Sequence, residues 1–139
     1  MAKKALVVDD VVFARQMITK ILKEAKYSVV GEAANGEEAI NQYMKLEPDF
    51  VTMDIVMPKK GGIEACRAII EKYPEARIII VSAMAHEQLL MDAINAGARD
   101  YILKPFAPED LLKAIDKIFE GIDDADLEKA KGAASHAAR

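Results

Sequence analysis

The chain has 139 residues, 52% hydrophobic and 30% charged, a balance that suits one soluble globular domain with its own core. Its net charge of −4 argues against broad nucleic-acid binding, which needs a basic surface. A single cysteine, Cys66, excludes an intramolecular disulfide, and His86 and His136 stand far apart without partner cysteines, so zinc sites of the usual spacing are absent.

The opening "MAKKALVVDD" turns acidic too soon for a signal peptide, and no apolar run reaches membrane-spanning length. A cytoplasmic protein is expected. "KALVVDD" reads as a buried strand that ends in two aspartates. "VVFARQMITKILKEA" is helical: Phe13, Met17 and Ile21 recur every four residues, with Ile18 and Leu22 beside them. "YSVVGEA" is a second strand and "ANG" a turn signal. "EEAINQYMKL" is helical, with Ala39, Ile40, Tyr43 and Met44 on one face, and Pro48 ends it.

"DFVTMD" is a third strand, and "GGIEACRAIIEKY" a helix closed by Pro74. Cys66, beside Ile63, Ile69 and Ile70, reads as core filling. "ARIIIVSA" is continuous and β-branched, as expected when helices cover both faces of a sheet. "HEQLLMDAINAG" is a helix with Gly97 at its C-terminal cap. "DYILK" is a fifth strand, and "APEDLLKAIDKIF" a last helix with Pro108 in its first turn. The domain is expected over 1–120. The remainder, 121–139, has few large apolar residues and reads as a flexible tail or a helix extension, with no second domain after it.

Strands and helices thus alternate five times, which implies α/β architecture: a parallel sheet with helices on both faces. Ligands of such sheets bind beyond the carboxyl ends of the strands. Four of the strands end in chemistry: Asp9 and Asp10, Asp54, Ser82 and Lys104. Singly, each reads equally well as a helix cap, a loop residue or a solvated charge. Side by side, they bring three carboxylates, a hydroxyl and an ammonium to one edge. A hard divalent cation such as Mg²⁺ relieves crowding of carboxylates. A metal and an anion held together suit phosphoryl transfer, in which a carboxylate can itself be the nucleophile.

With these residues placed, "VVDD", "MDIVMPKKGG", "VSA", "NAGARDYILKPF" and their spacing resemble a response-regulator receiver domain from about Lys4 to Phe119, most of all the single-domain CheY-like proteins of chemotaxis. The resemblance implies a flavodoxin-like (βα)5 three-layer fold with strand order 2-1-3-4-5. It implies Asp54 as phosphoacceptor, Mg²⁺ ligated by Asp10, Asp54 and the carbonyl of Val56, and Asp9 acting largely through water. Lys104 would contact the phosphoryl group and Ser82 would hydrogen-bond one of its oxygens. Tyr101 matches the aromatic switch, though on its own it reads as a half-exposed strand aromatic. The Lys104–Pro105 bond would be cis, and Gly62 matches the glycine in the turn after the acceptor. A histidine kinase, of chemotaxis type, would be the donor. A flagellar or archaellar motor component or an adaptor would be the target, met through the surface of residues 86–119. Neither nucleic acid nor membrane is an expected partner.

Val56 and Met84, two residues after Asp54 and Ser82, are apolar where the family is often polar, which implies slow loss of the phosphoryl group. "KKGG" lacks the acidic residue often found just before the glycine, so Lys59 and Lys60 would alter contacts with partners. The main rival is a receiver cut from a longer regulator with a DNA-binding or enzymatic output. A phosphohydrolase would want a general acid where Val56 stands, and a flavin module would want a Ser/Thr/Gly-rich loop where Asp9 and Asp10 stand.

Overall fold

The alternation of strands and helices is present throughout residues 2–120, which the computed structural model describes. The elements are β1 (Lys4–Val8), α1 (Val12–Glu24), β2 (Ser28–Ala33), α2 (Gly36–Leu46), β3 (Phe50–Met53), α3 (Gly62–Lys72), β4 (Ile78–Ser82), α4 (Glu87–Asn95), β5 (Asp100–Leu103) and α5 (Pro108–Ile118). All neighbouring strands are parallel and the sheet order is β2-β1-β3-β4-β5, the flavodoxin-like arrangement expected. The expectations for 121–139 fall outside the described residues.

Period-two alternation along the central strands feeds two cores. Leu6, Val8, Val51, Met53, Ile78 and Ile80 face one layer, where they meet Ala39 and Tyr43 of α2, Cys66 and Ile69 of α3, and Ala93 of α4. Ala5, Val7, Phe50, Ile79 and Val81 face the other, against Ile18 and Leu22 of α1 and Leu111 and Ile115 of α5. Both faces are therefore covered, which is why these strands read as unbroken apolar runs.

Local signals set the element boundaries. The Asn35 side chain accepts the backbone N–H of Glu38, while the Glu38 carboxylate accepts that of Ala34, a reciprocal arrangement that starts α2. Gly97 follows α4 with φ of 101°, a conformation in which a side chain would be strained and would crowd Ile70. Cys66 is buried as core filling; its thiol lies 3.7 Å from the Ala96 carbonyl oxygen, and burial pushes its pKa up to about 12.

One expectation is corrected in α1. The stripe of Phe13 and Met17 does not enter the core: Phe13 is 72% exposed and Met17 is exposed as well, while Ile18 and Leu22 are buried. Phe13–Met17 and Ile18–Leu22 are both spaced by four, so the periodicity suited either stripe. The sheet takes the one turned toward Phe50 and Ile79, and of the other stripe only Ile21 packs, partly buried, against that core. Met44 likewise lies exposed beside the buried Tyr43. No helix among the described residues is long and apolar enough to cross a membrane.

Candidate functional site

Strand register assembles the site. Val8 is paired with Met53, so the next residues, Asp9 and Asp54, emerge together from neighbouring strands; the N–H of Asp54 donates to the Val8 carbonyl at 3.0 Å. On the other side Ser82 is paired with Leu103, and the N–H of Lys104 donates to the Ser82 carbonyl at 2.9 Å. Adjacent strands lie about 5 Å apart, so four strand ends converge on one patch.

Asp9, Asp10 and Asp54 each bring a carboxylate oxygen within 4.8 Å of the others. Their surroundings differ. Asp9 is 1% exposed, and both its carboxylate oxygens are engaged: Oδ1 accepts the N–H of Val11 at 2.9 Å and Oδ2 accepts the Lys104 ammonium at 2.6 Å. Asp10 is exposed, and its side chain takes no hydrogen bond among the described residues. Asp54 is half-buried; its Oδ1 accepts the N–H of Ile55 at 2.8 Å and its Oδ2 lies 3.7 Å from the Lys104 ammonium. Burial pushes the Asp54 carboxyl above the usual range, Lys104 draws it down, and the charges of Asp9 and Asp10 push it up again. The apolar run Phe50–Met53 is thus a buried strand, with the Asp54 carboxylate just past its end.

The donor set fits Mg²⁺. All three side chains offer hard oxygens, with no nitrogen or thiolate among them. The Val56 carbonyl accepts no hydrogen bond among the described residues, so its lone pairs are open to a cation. Asp9, already engaged at both oxygens, has least to give directly.

Three further features surround this patch. Gly62 opens α3 rather than sitting in a turn before it, and a Cβ there would stand 1.8 Å from the Asp54 carbonyl oxygen, so only glycine allows the close approach. Met84 joins two of the singled-out residues: its N–H donates to Ser82 Oγ at 3.1 Å, and its carbonyl accepts the Tyr101 hydroxyl. The Lys104–Pro105 peptide is cis. Two contacts went unforeseen. Arg15 Nη1 donates to the Asp9 carbonyl at 2.6 Å while its Nε donates to Glu32 at 3.1 Å. The Gly36 N–H donates to the Lys60 carbonyl at 2.8 Å, tying the loop after Asp54 to α2. A side chain one turn into a helix and a main-chain bond between loops leave no periodic trace.

The receiver domain model of response regulators matches residues 5–116. The chemotaxis protein CheY of Thermotoga maritima is 47% identical over 118 residues, 85% of this chain and 98% of that one. A protein-glutamate methylesterase/protein-glutamine glutaminase of Pseudomonas putida is 43% identical over 121 residues, but the match spans only 32% of it. Among solved structures, the CheX–CheY–BeF3–Mg complex from Borrelia burgdorferi superposes with a TM-score of 0.82 at 36% identity, covering 84% of this chain and 89% of that one.

Proposed function

Because the chain belongs to the response regulator receiver family, and so serves as a phosphorylation-activated switch in two-component signalling, we propose that Asp54 is its phosphoacceptor and a histidine kinase its donor. The carrying observation is the cluster of Asp9, Asp10 and Asp54 within 4.8 Å, with the Lys104 ammonium 3.7 Å from Asp54. Asp54 Oδ2 attacks phosphorus, the bond from phosphorus to the donor's imidazole nitrogen breaks, and the imidazole leaves with that electron pair. Mg²⁺, held by Asp10, Asp54 and the Val56 carbonyl with Asp9 behind water, would neutralise charge on the transferring oxygens.

The protein's own groups do the rest. Lys104 turns from Asp9 toward the new charge. Ser82 Oγ, which now accepts the Met84 N–H, turns to donate to a phosphoryl oxygen. That movement pulls on Met84, to which the Tyr101 hydroxyl is bonded, so loop and aromatic respond together. The surface of α4, β5 and α5 carries the change. It includes a shallow groove of about 480 Å³ lined by Tyr101, Leu103, Phe106, Asp110, Lys113 and Lys117. A partner that prefers the changed surface shifts the equilibrium by its differential affinity. The likeness to CheY proteins over nearly their whole length supports a chemotaxis kinase as donor and a motor or adaptor protein as target. Gain and loss of the phosphoryl group are the chain's only chemistry in this reading, with the domain at 1–120.

The methylesterase match favours a second reading, a receiver that serves an output domain, since there the likeness covers a third of a longer protein. The test of the main reading is transfer from a kinase. A chemotaxis histidine kinase labelled on its histidine should pass the label to this chain and not to Asp54→Asn; retention of label by the kinase contradicts the reading.

A further inference from the structure

Asp9 is held from both sides. Lys104 takes its carboxylate, and Arg15 takes its main-chain oxygen at 2.6 Å. The second contact crosses from the end of the first turn of α1 back to the end of β1. The other edge of the same guanidinium is fixed to Glu32 of β2 at 3.1 Å, and the Arg15 side chain is 16% exposed. A planar guanidinium that spans two acceptors is held more rigidly than either contact alone would hold it.

The oxygen that Arg15 holds belongs to the peptide joining Asp9 to Asp10. Turning that peptide would break the contact and swing the Cα–Cβ bond of Asp10. Asp10 has no anchor of its own: its side chain is exposed and accepts no hydrogen bond among the described residues. Its direction is therefore set by its backbone, and its backbone by Arg15. We infer that Arg15 is a positioning residue for the cation site, aiming the Asp10 carboxylate by clamping the Asp9–Asp10 peptide between α1 and β2. This rests on the reading that Asp9, Asp10 and Asp54 hold Mg²⁺. Groups one shell behind a metal ligand commonly govern its affinity in this way.

The test is Mg²⁺ titration by calorimetry on the full chain, with metal-free urea unfolding measured in parallel to establish that each variant is folded. Arg15→Ala should weaken Mg²⁺ binding about tenfold. Arg15→Lys keeps the charge but cannot span Asp9 and Glu32, so it should fail to restore the wild-type constant; a role through charge alone predicts full restoration. Combined with Asp10→Asn, Arg15→Ala should cost nothing more than Asp10→Asn alone, because the group it aims is already altered. A constant for Arg15→Ala within about twofold of wild type, or fully additive losses, overturns the inference. Should Arg15→Ala fail to fold, Arg15→Lys decides: wild-type affinity there overturns it. Failure of the wild-type chain itself to bind Mg²⁺ would overturn the metal reading and this inference with it, a result distinct from loss of the Arg15 effect alone.

Discussion

The Lys104 ammonium lies 2.6 Å from Asp9 and 3.7 Å from Asp54, so before phosphorylation it serves mainly as the counter-ion of the more deeply buried carboxylate. Asp9 is 1% exposed, and burying a carboxylate so deeply is costly unless a cation is paired with it.

Lys104→Met should therefore destabilise the metal-free protein. Breaking a buried pair costs about 3 to 5 kcal/mol; with Lys104 24% exposed the loss should be nearer about 2 kcal/mol. Mg²⁺ should recover much of it by taking over the neutralisation. Urea unfolding with and without Mg²⁺ measures both effects. An unchanged midpoint without metal would show that Asp9 has another source of compensation.

Met84 is held at its N–H by Ser82 and at its carbonyl by Tyr101, which makes the two side chains energetic neighbours without touching. Ser82→Ala and Tyr101→Phe should each cost about 1 kcal/mol, the scale of one hydrogen bond. The double variant should cost less than their sum, because either change alone loosens the loop. Strict additivity in denaturant unfolding would mean that the two contacts act independently and that Tyr101 does not follow Ser82.

Val56 stands 61% exposed beside Asp54, with an apolar side chain that cannot orient water. The phosphorylated protein should lose its phosphoryl group slowly, and Val56→Asn should speed the loss about tenfold, a modest share of what a well-placed polar group can contribute to proton transfer. Following the intact mass of the phosphorylated form over time measures both rates. Loss within seconds in the wild-type chain contradicts the account.

Cys66 is core filling with its pKa raised from 9.0 to about 12. The folded state holds this proton more tightly than the unfolded one, so its contribution to stability is full below 9.0 and is lost as pH rises toward 12. Cys66→Ala should cost about 1 kcal/mol at neutral pH, the scale of one deleted core methyl. Its unfolding free energy should then fall less steeply than the wild type's between about pH 9 and 10.5, above the thiol's ordinary value of 9.0 and below its folded value of about 12. The native thiol should also resist alkylation at pH 8, within the ordinary range below thiol ionisation. Parallel slopes for the two proteins, or rapid labelling, contradict this.

Strand runs, caps and strand-end residues were open to reading because each is a local matter. "IIIVS" is apolar on both faces because helices cover both, and Asp54 stands out because a carboxylate rarely follows such a run. Phe13 and Met17 misled because periodicity gives a helix but not its rotation about its own axis. The third dimension also hid the clamp of Arg15 on Asp9, six residues back along the chain but joined to β2 in space. Gly62 was recognisable as special. Its reason, a carbonyl at 1.8 Å from any added Cβ, needs the folded backbone.

The most direct measurement is intact mass after incubation with acetyl phosphate and Mg²⁺. The wild-type chain should gain one phosphate, and Asp54→Asn should gain none while retaining its fold by circular dichroism. No gain by the wild-type chain, or an equal gain by Asp54→Asn, would contradict Asp54 as the phosphoacceptor.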